Sequence, residues 1–447
     1  MGYTSKRGKR PTEYASKSAH STLINDPAVR SLLARCCLPS NVEAVDIEDE
    51  AYTLFQEARP NPITHIVAVD GGYTEQLVHS EFPSATVGFF QIGSLIFSVA
   101  DLESLDRQQF INPDDMAKLK QIQRFKLTLP ARNIRLNGES TLTHSVRRVL
   151  YEFFCNNPDD HRFIDTLRWL IFEEFAKPAK PTWTLGSCPG CDVPRVPLHR
   201  NEMQPDHSFG CPHCGIQIFL TDVFRLHEVI DDHVGAGGVF GYITTAIEQF
   251  VLIHIIRLIL NTKPALLHKI LFLRDGPLAF FGQTANMHKP MRALVNYLFD
   301  QHALYMAGLD KSGAFVEHAD EIAQKKLERG SILVPSNAYI YRHIQPGLPD
   351  DKQPYGHNTY YGTKLIFRAF NDRVYVVTVP TRTALAQPAF SDLPNLEVIL
   401  TNVAKLNCDM YDNALIPVAL ANKLVSLAAY PSSRILQKFA IGTLGSA

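Results

Sequence analysis

Hydrophobic and polar positions change rhythm several times along the chain. Ile63–Val69 (ITHIVAV) is a continuous, largely β-branched run that leads into Asp70-Gly71-Gly72. It predicts a short buried strand ending at the acid. Ala85–Val99 predicts two more strands, joined near Gly93 and folded back as a meander. From about 101 to 180 the chain is polar, with apolar positions three and four residues apart, as in Val146, Val149, Leu150 and Phe153, then Leu167, Leu170, Ile171 and Phe175. That spacing predicts helices, closed by Pro178 and Pro181. Beyond Gly235-Ala236-Gly237-Gly238, a helix is predicted from about Val239 to Leu260. Lys269–Leu273 is an apolar strand ending at Arg274-Asp275-Gly276-Pro277. Residues 288–302 read as helix and Ala303–Leu309 as strand. Lys364–Phe370 and Arg373–Val379 read as strands, and Leu415–Ala429 as a helix. Residues 1–30 are polar and read as a loose arm or helical lead-in. There are no internal repeats.

The order is strand with Asp, strand, strand, long insertion, helix, strand with Asp, helix, strand. Without the insertion it is the ribonuclease H-like order, a three-stranded meander followed by alternating helix and strand. The expected fold is therefore α/β, a ribonuclease H-like mixed sheet with a helical and zinc-ribbon insertion. The expected units are an N-terminal helical arm (1–60), a split domain (61–100 and 239–447), a helical insertion (101–187), and a cysteine-bearing ribbon with its linker (188–238).

Asp70 and Asp275 each end an apolar strand and each precede a glycine, which lets backbone pass close to a ligand. Glu248 sits between them on the predicted helix, among Ile247, Phe250, Val251 and Leu252. Alone, Asp-Gly after a strand is a turn signal, and a lone helical Glu is a half-exposed surface residue. Together the three acids fall where this fold brings carboxylates to one edge. A carboxylate among apolar residues is expensive to bury without a partner. Converging oxygen ligands suit Mn²⁺ or Mg²⁺, which serve phosphodiester hydrolysis.

Composition narrows the class. The chain has 447 residues, 45% hydrophobic and 20% charged, with 44 basic and 45 acidic side chains giving a net charge of -1. A disordered or fibrous protein is excluded, and so is a globally basic nucleic-acid coat. The longest apolar run, Phe250–Leu260, is broken by His254 and Arg257 and falls short of a bilayer span of about 20 residues. The basic start, Met1–Arg10, lacks a following apolar signal core. A soluble, cytoplasmic chain is expected. Four of the eight cysteines form Cys188-Pro-Gly-Cys191 and Cys211-Pro-His-Cys214, with 19 residues between the pairs. This spacing fits a tetrahedral Cys₄ site for structural Zn²⁺; iron is a second occupant for such a set. Arg195, His199, Arg200 and His207 lie between the knuckles, so the ribbon reads either as a DNA contact or as a structural clip. His254 and His268 read as satisfied core or surface residues.

Val67-Ala68-Val69-Asp70-Gly71-Gly72 resembles the opening Asp-Gly-Ser strand of the NurA nucleases. Phe272–Leu278 (FLRDGPL) resembles their second Asp-Gly strand, Gly308–Ser312 (GLDKS) their following glycine and lysine strand, and Ile416–Leu427 their proline-led C-terminal helix. The resemblance implies a Mn²⁺-dependent DNA nuclease, a homodimer, and a HerA-type hexameric ATPase partner in DNA end processing or anti-phage defence. Asp70 and Asp275 match the metal aspartates, Glu248 the helical glutamate, and Lys311 a phosphate contact. Two places depart: Gly72 replaces the serine, and Asn422 stands where many relatives carry histidine. Asn can contact phosphate but cannot act as an acid or base near neutrality. Asp409 and Asp412 are nearby substitutes. The alternatives are a catalytically inactive scaffold that regulates a HerA-type ATPase, and a zinc-ribbon nucleic-acid binder without chemistry.

Overall fold

The computed structural model describes residues 17–47, 50–79, 83–100, 122–156, 161–408, 415–427 and 431–444. Two helices come first, α1 (Lys17–Asn25) and α2 (Pro27–Leu33). Strands β1 (Ala51–Leu54), β2 (His65–His79), β3 (Ala85–Ser98) and β4 (Ile122–Arg132) follow. Next come α3 (Leu142–Cys155), α4 (Phe163–Ile171) and two hairpins, β5 (Thr182–Ser187) with β6 (Pro194–His199) and β7 (Ser208–Gly210) with β8 (Gln217–Phe219). The remainder is α5 (Phe240–Thr262), β9 (Ile270–Asp275), α6 (His288–Gln301), β10 (Tyr305–Asp310), α7 (Ala314–Lys325), β11 (Ser331–Val334), α8 (Asn337–His343), β12 (Gly362–Arg368), β13 (Val374–Pro380), α9 (Leu396–Lys405), α10 (Ile416–Val425) and α11 (Ser432–Leu444).

One nine-stranded sheet runs in the order β1-β11-β12-β13-β10-β9-β2-β3-β4. Strands β2, β9 and β10 are mutually parallel, while β2, β3 and β4 form an antiparallel meander. The stretch from β4 to β10 is the expected ribonuclease H-like order. Alternate side chains sort onto two faces. Val67, Val69, Phe90, Ile92 and Phe272 pack with α3, α4, α5 and α6. Ile66, Ala68, Leu271, Leu273 and Leu309 pack with α9 and α10. The sheet is therefore the middle of three layers.

Four expectations are corrected. First, β2 does not end at Asp70: it continues to His79 because β3 supplies partners along it, Asp70 facing Gly93 and Gly72 facing Gln91, with a bulge only at Val78. Second, Ala85–Ser98 is one strand, not two. Third, the meander's last strand is Ile122–Arg132, within the segment expected to be helical. Phe125, Leu127, Leu129 and Ala131 are buried while Arg124, Lys126 and Thr128 are exposed, so the period there is two. Fourth, Ala51–Leu54, from the expected helical arm, pairs with β11 at the sheet edge.

Helix α5 is 23 residues long. By length and composition it could cross a membrane, yet most of it is buried within the fold. The insertion explains this. Phe154 and Phe224 pack on Phe250 at ring separations of 5.3 and 5.8 Å, so α5 is covered on the side away from the sheet as well. A helix buried all round is apolar all round. The insertion is tied together by a buried ion pair. Arg147 Nε and Nη2 donate to Asp222 at 2.9 and 2.8 Å, and Nη2 also donates to the Gln217 carbonyl at 2.8 Å.

Truncating Arg147 to Met strands the Asp222 carboxylate in that core. The expected loss in urea unfolding is about 3–5 kcal/mol, with most of it recovered when Asp222 is also made apolar. A loss under about 1 kcal/mol would show that the pair is hydrated instead.

Candidate active site

The last residue pair between β2 and β9 is Val69 with Arg274. Asp70 and Asp275 are the next residues on two parallel strands, so they lie side by side and face α10. Strand β9 ends there while β2 runs on, leaving a notch. Lys311, one residue beyond β10, projects to the same face and donates to Asp275 Oδ2 at 2.6 Å.

Glu248 arrives from the opposite face, on α5. It reaches the notch because the residue beneath it is Gly71. A Cβ there would lie 2.8 Å from Glu248 Oε1 and 2.7 Å from Thr244 Cγ2. On the α10 side, a Cβ on Gly72 would lie 2.6 Å from the Val425 carbonyl oxygen, and one on Gly93 would lie 2.8 Å from Val425 Cγ1. Gln91 Nε2 donates to the Leu424 carbonyl at 2.6 Å and fixes the end of α10. The three glycines mark close helix approach rather than turns. A serine hydroxyl at position 72 has no room, which accounts for that departure from the Asp-Gly-Ser pattern.

Burial governs the electrostatics. Asp70 is 3% exposed; Oδ1 accepts the Gly71 amide at 2.8 Å, while Oδ2 is buried without a partner. Desolvation, then the Asp275 charge, push its pKa from 3.8 to about 6, against lowering by Asn422 and Lys311. Glu248 is driven from 4.5 to about 8, again by desolvation first, despite Arg274. Arg274 Nη2 lies 3.2 Å from Glu248 Oε2. Glu248 thus feels both aspartates, and Asp70 feels Asp275. The site has its own cations at Arg274 and Lys311, and the three carboxylates do not all fall within 4.8 Å of one another.

Asn422 is exposed on α10, beside Asp70. Asp409 and Asp412 lie outside the described residues. Arg274 is the site residue that motif reading passed over. Strand alternation could have found it, since the residue before Asp275 must face α5.

The cysteines meet as their spacing predicted. Cys188 and Cys214 sulfurs are 3.7 Å apart, Cys191 and Cys211 sulfurs 3.9 Å, and all four lie within 4.8 Å of one another. Gly190 and His213 amides point at Cys188 and Cys211 Sγ at 3.4 and 3.5 Å, the donors that thiolates bound to an ion require. The set fits a tetrahedral ion. Of the residues between the knuckles, Arg200 pairs with Glu174, His207 with Asp165, and His199 with Thr182. Those three serve the scaffold. His254 bonds Thr166 in the core, and His268 is exposed.

No family model and no curated protein matches the chain. Among solved structures it is similar to the NurA nuclease from Sulfolobus solfataricus, at 9% identity over 97% of each chain with a TM-score of 0.33. It is also similar to a NurA solved with manganese, at 11% identity over 96% of this chain and 98% of that one, with a TM-score of 0.30.

The raised pKa of Asp70 fixes a sign. An acid titrating higher in the folded state stabilises the fold below its unfolded value, and that advantage is lost as pH rises through about 6. In buffer without divalent cations, Asp70→Asn is expected to match the parent protein near pH 4. At pH 7 it should exceed it by up to roughly 3 kcal/mol in urea unfolding. An Asn variant less stable at both pH values would contradict the buried, unpaired carboxylate.

For the cysteine set, purified protein is expected to carry stoichiometric zinc by elemental analysis. Cys211→Ser should lose the metal and melt at lower temperature. A fully folded, zinc-free parent chain would overturn that assignment.

Proposed function

We propose that the chain is a NurA-like, metal-dependent DNA nuclease that hydrolyses phosphodiester bonds. One observation carries the reading. Three carboxylates from both faces of the sheet approach one notch, and one oxygen, Asp70 Oδ2, is buried without a hydrogen bond of standard geometry, with the Asn422 amide beside it. Such an oxygen is costly to bury and calls for a cation. Asp70, Glu248 and Asp275 would hold Mn²⁺ or Mg²⁺. When bound, the ion would supply Lewis-acid activation of water and of the scissile phosphate.

The chain's own residues divide the remaining work. Asp275 and Lys311 lie at the open side of the notch, where side chains keep 21% and 30% exposure. A phosphate entering there meets the Lys311 ammonium, which can exchange Asp275 for a phosphate oxygen. Asn422 offers an amide donor on the α10 side. The carboxylates of Asp70 and Glu248 are buried from bulk water. Net charge near zero gives weak DNA affinity by the chain alone. A HerA-type hexameric ATPase that feeds DNA to the site, a homodimeric state and a cytoplasmic location belong to the same proposal. Structural zinc holds the inserted ribbon.

One feature favours the second reading, an inactive scaffold that regulates such an ATPase. Arg274 and Lys311 already neutralise Glu248 and Asp275, and no histidine stands at position 422.

The deciding experiment is DNA cleavage with Mn²⁺, Mg²⁺ or neither, with and without a HerA-type ATPase. Asp70→Ala and Asp275→Ala are each expected to lower metal-dependent cleavage more than about a hundredfold, beyond the usual loss for an outer-shell partner. No cleavage in any mixture, with the ATPase still bound, would transfer the assignment to the scaffold.

A further inference from the structure

Glu248 is in an unusual position. It lies on the α5 face, yet its partners in the notch, Asp70 and Asp275, project to the α10 face. A long side chain on a helix has several rotamers, and burial raises the energy of the charged form. Something must hold the carboxylate aimed past Gly71.

The structure supplies one group for this. Arg274 is 3% exposed and sits between Phe272, which packs into the α5 core, and Asp275, which faces the notch. Its guanidinium divides. Nη2 reaches Glu248 Oε2 at 3.2 Å, and Nη1 donates to the Pro277 carbonyl. The second contact exists because the chain folds back after β9. Gly276 adopts φ +87°, and a Cβ on Gly308 would lie 2.5 Å from the Gly276 carbonyl oxygen. These glycines let the 276–278 turn lie flat on β10 and bring the Pro277 carbonyl over Arg274. The turn that ends the metal strand therefore also fixes the arginine.

We propose that Arg274 is a positioning residue, a two-branched clamp anchored on Pro277 that sets the Glu248 carboxylate against Gly71, on the side of the notch toward Asp70 and Asp275. The proposal rests on the metal-site reading above. Arginine suits the task because a rigid fork holds two acceptors at once, whereas lysine offers a single flexible ammonium. Arg274 touches neither substrate nor ion; it acts through Glu248 alone.

The test is Mn²⁺ binding by calorimetry to zinc-loaded, DNA-free protein, paired with cleavage kinetics. Four variants are compared with the parent: Asp70→Ala, Arg274→Lys, Glu248→Gln, and the Glu248→Gln/Arg274→Lys double variant. Loss of binding in Asp70→Ala shows that the site measured is the notch. Arg274→Lys keeps the charge and the fold but gives up one branch. It is expected to weaken Mn²⁺ binding about tenfold or more, in line with outer-shell partners generally, and to lower kcat with KM for DNA unchanged. In the Glu248→Gln background the same lysine change is expected to have no further effect.

Parental Mn²⁺ affinity in Arg274→Lys, with binding still lost in Asp70→Ala, overturns the clamp and leaves the metal site standing. An equal loss in both backgrounds also overturns it, because Arg274 would then act independently of Glu248. Parent protein with no Mn²⁺ site sensitive to Asp70 removes the metal reading, and the clamp falls with it.

Discussion

Strand β2 lacks side chains where two helices need to pass close to it. At Gly71 the α5 helix reaches the backbone from one face, and at Gly72 the end of α10 does so from the other. A sheet normally separates its two layers by about 10 Å each way. The paired glycines remove that separation at one point. Carboxylates that alternation would keep on opposite faces, Asp70 and Glu248, can then act on each other. Gly93 on the neighbouring strand and Gln91 beside it extend the same seat for α10. Any side chain at these positions would displace a helix, so the site depends on a backbone feature before it depends on its acids.

The convergence has an electrostatic consequence. Three carboxylates with little water carry a large desolvation penalty, visible in the elevated pKa values of Asp70 and Glu248. Arg274 and Lys311 offset part of it, but unequally. Arg274 is buried and forked, with a fixed position. Lys311 is a third exposed on a flexible stem. The first is suited to hold geometry and the second to be displaced by an incoming phosphate. Asp70 Oδ2 has no protein cation within bonding distance. The residual need for positive charge is concentrated at that oxygen, on the wall between the two faces.

Much of this was legible in the sequence, for identifiable reasons. Asp275 ends a strand because Gly276 and Pro277 cannot continue one, and that punctuation is local. The cysteine knuckles are also local, each set by four adjacent residues. The β9–α6–β10 alternation survives because each element is short and strongly patterned. Gly71-Gly72 and Gly93 were misread because a glycine needed for close helix packing and a glycine needed for a turn look the same in one dimension. Only β3, which pairs through Asp70 and beyond, distinguishes them. The strand Ile122–Arg132 was missed because its alternating apolar residues lie inside a polar stretch flanked by helical spacing. Arg274 was quoted within a motif but had no role until the helix above it was placed.

The cysteine-bearing insertion belongs to the same account. Its aromatic residues cover the outer side of α5 at Phe250, two residues beyond Glu248 and on the opposite side of the helix. Without that cover, α5 would present a long apolar face to water, and Glu248 would sit nearer solvent. The insertion thus contributes to the low-dielectric setting in which Glu248 meets Arg274. Its Cys₄ cluster organises the hairpins that pack against α3 and α4, and the Arg147–Asp222 pair ties α3 to the ribbon. On this geometry the cysteine cluster and the carboxylates are linked. The cysteines keep the roof over α5 in place, and the roof keeps the acids beneath it dry.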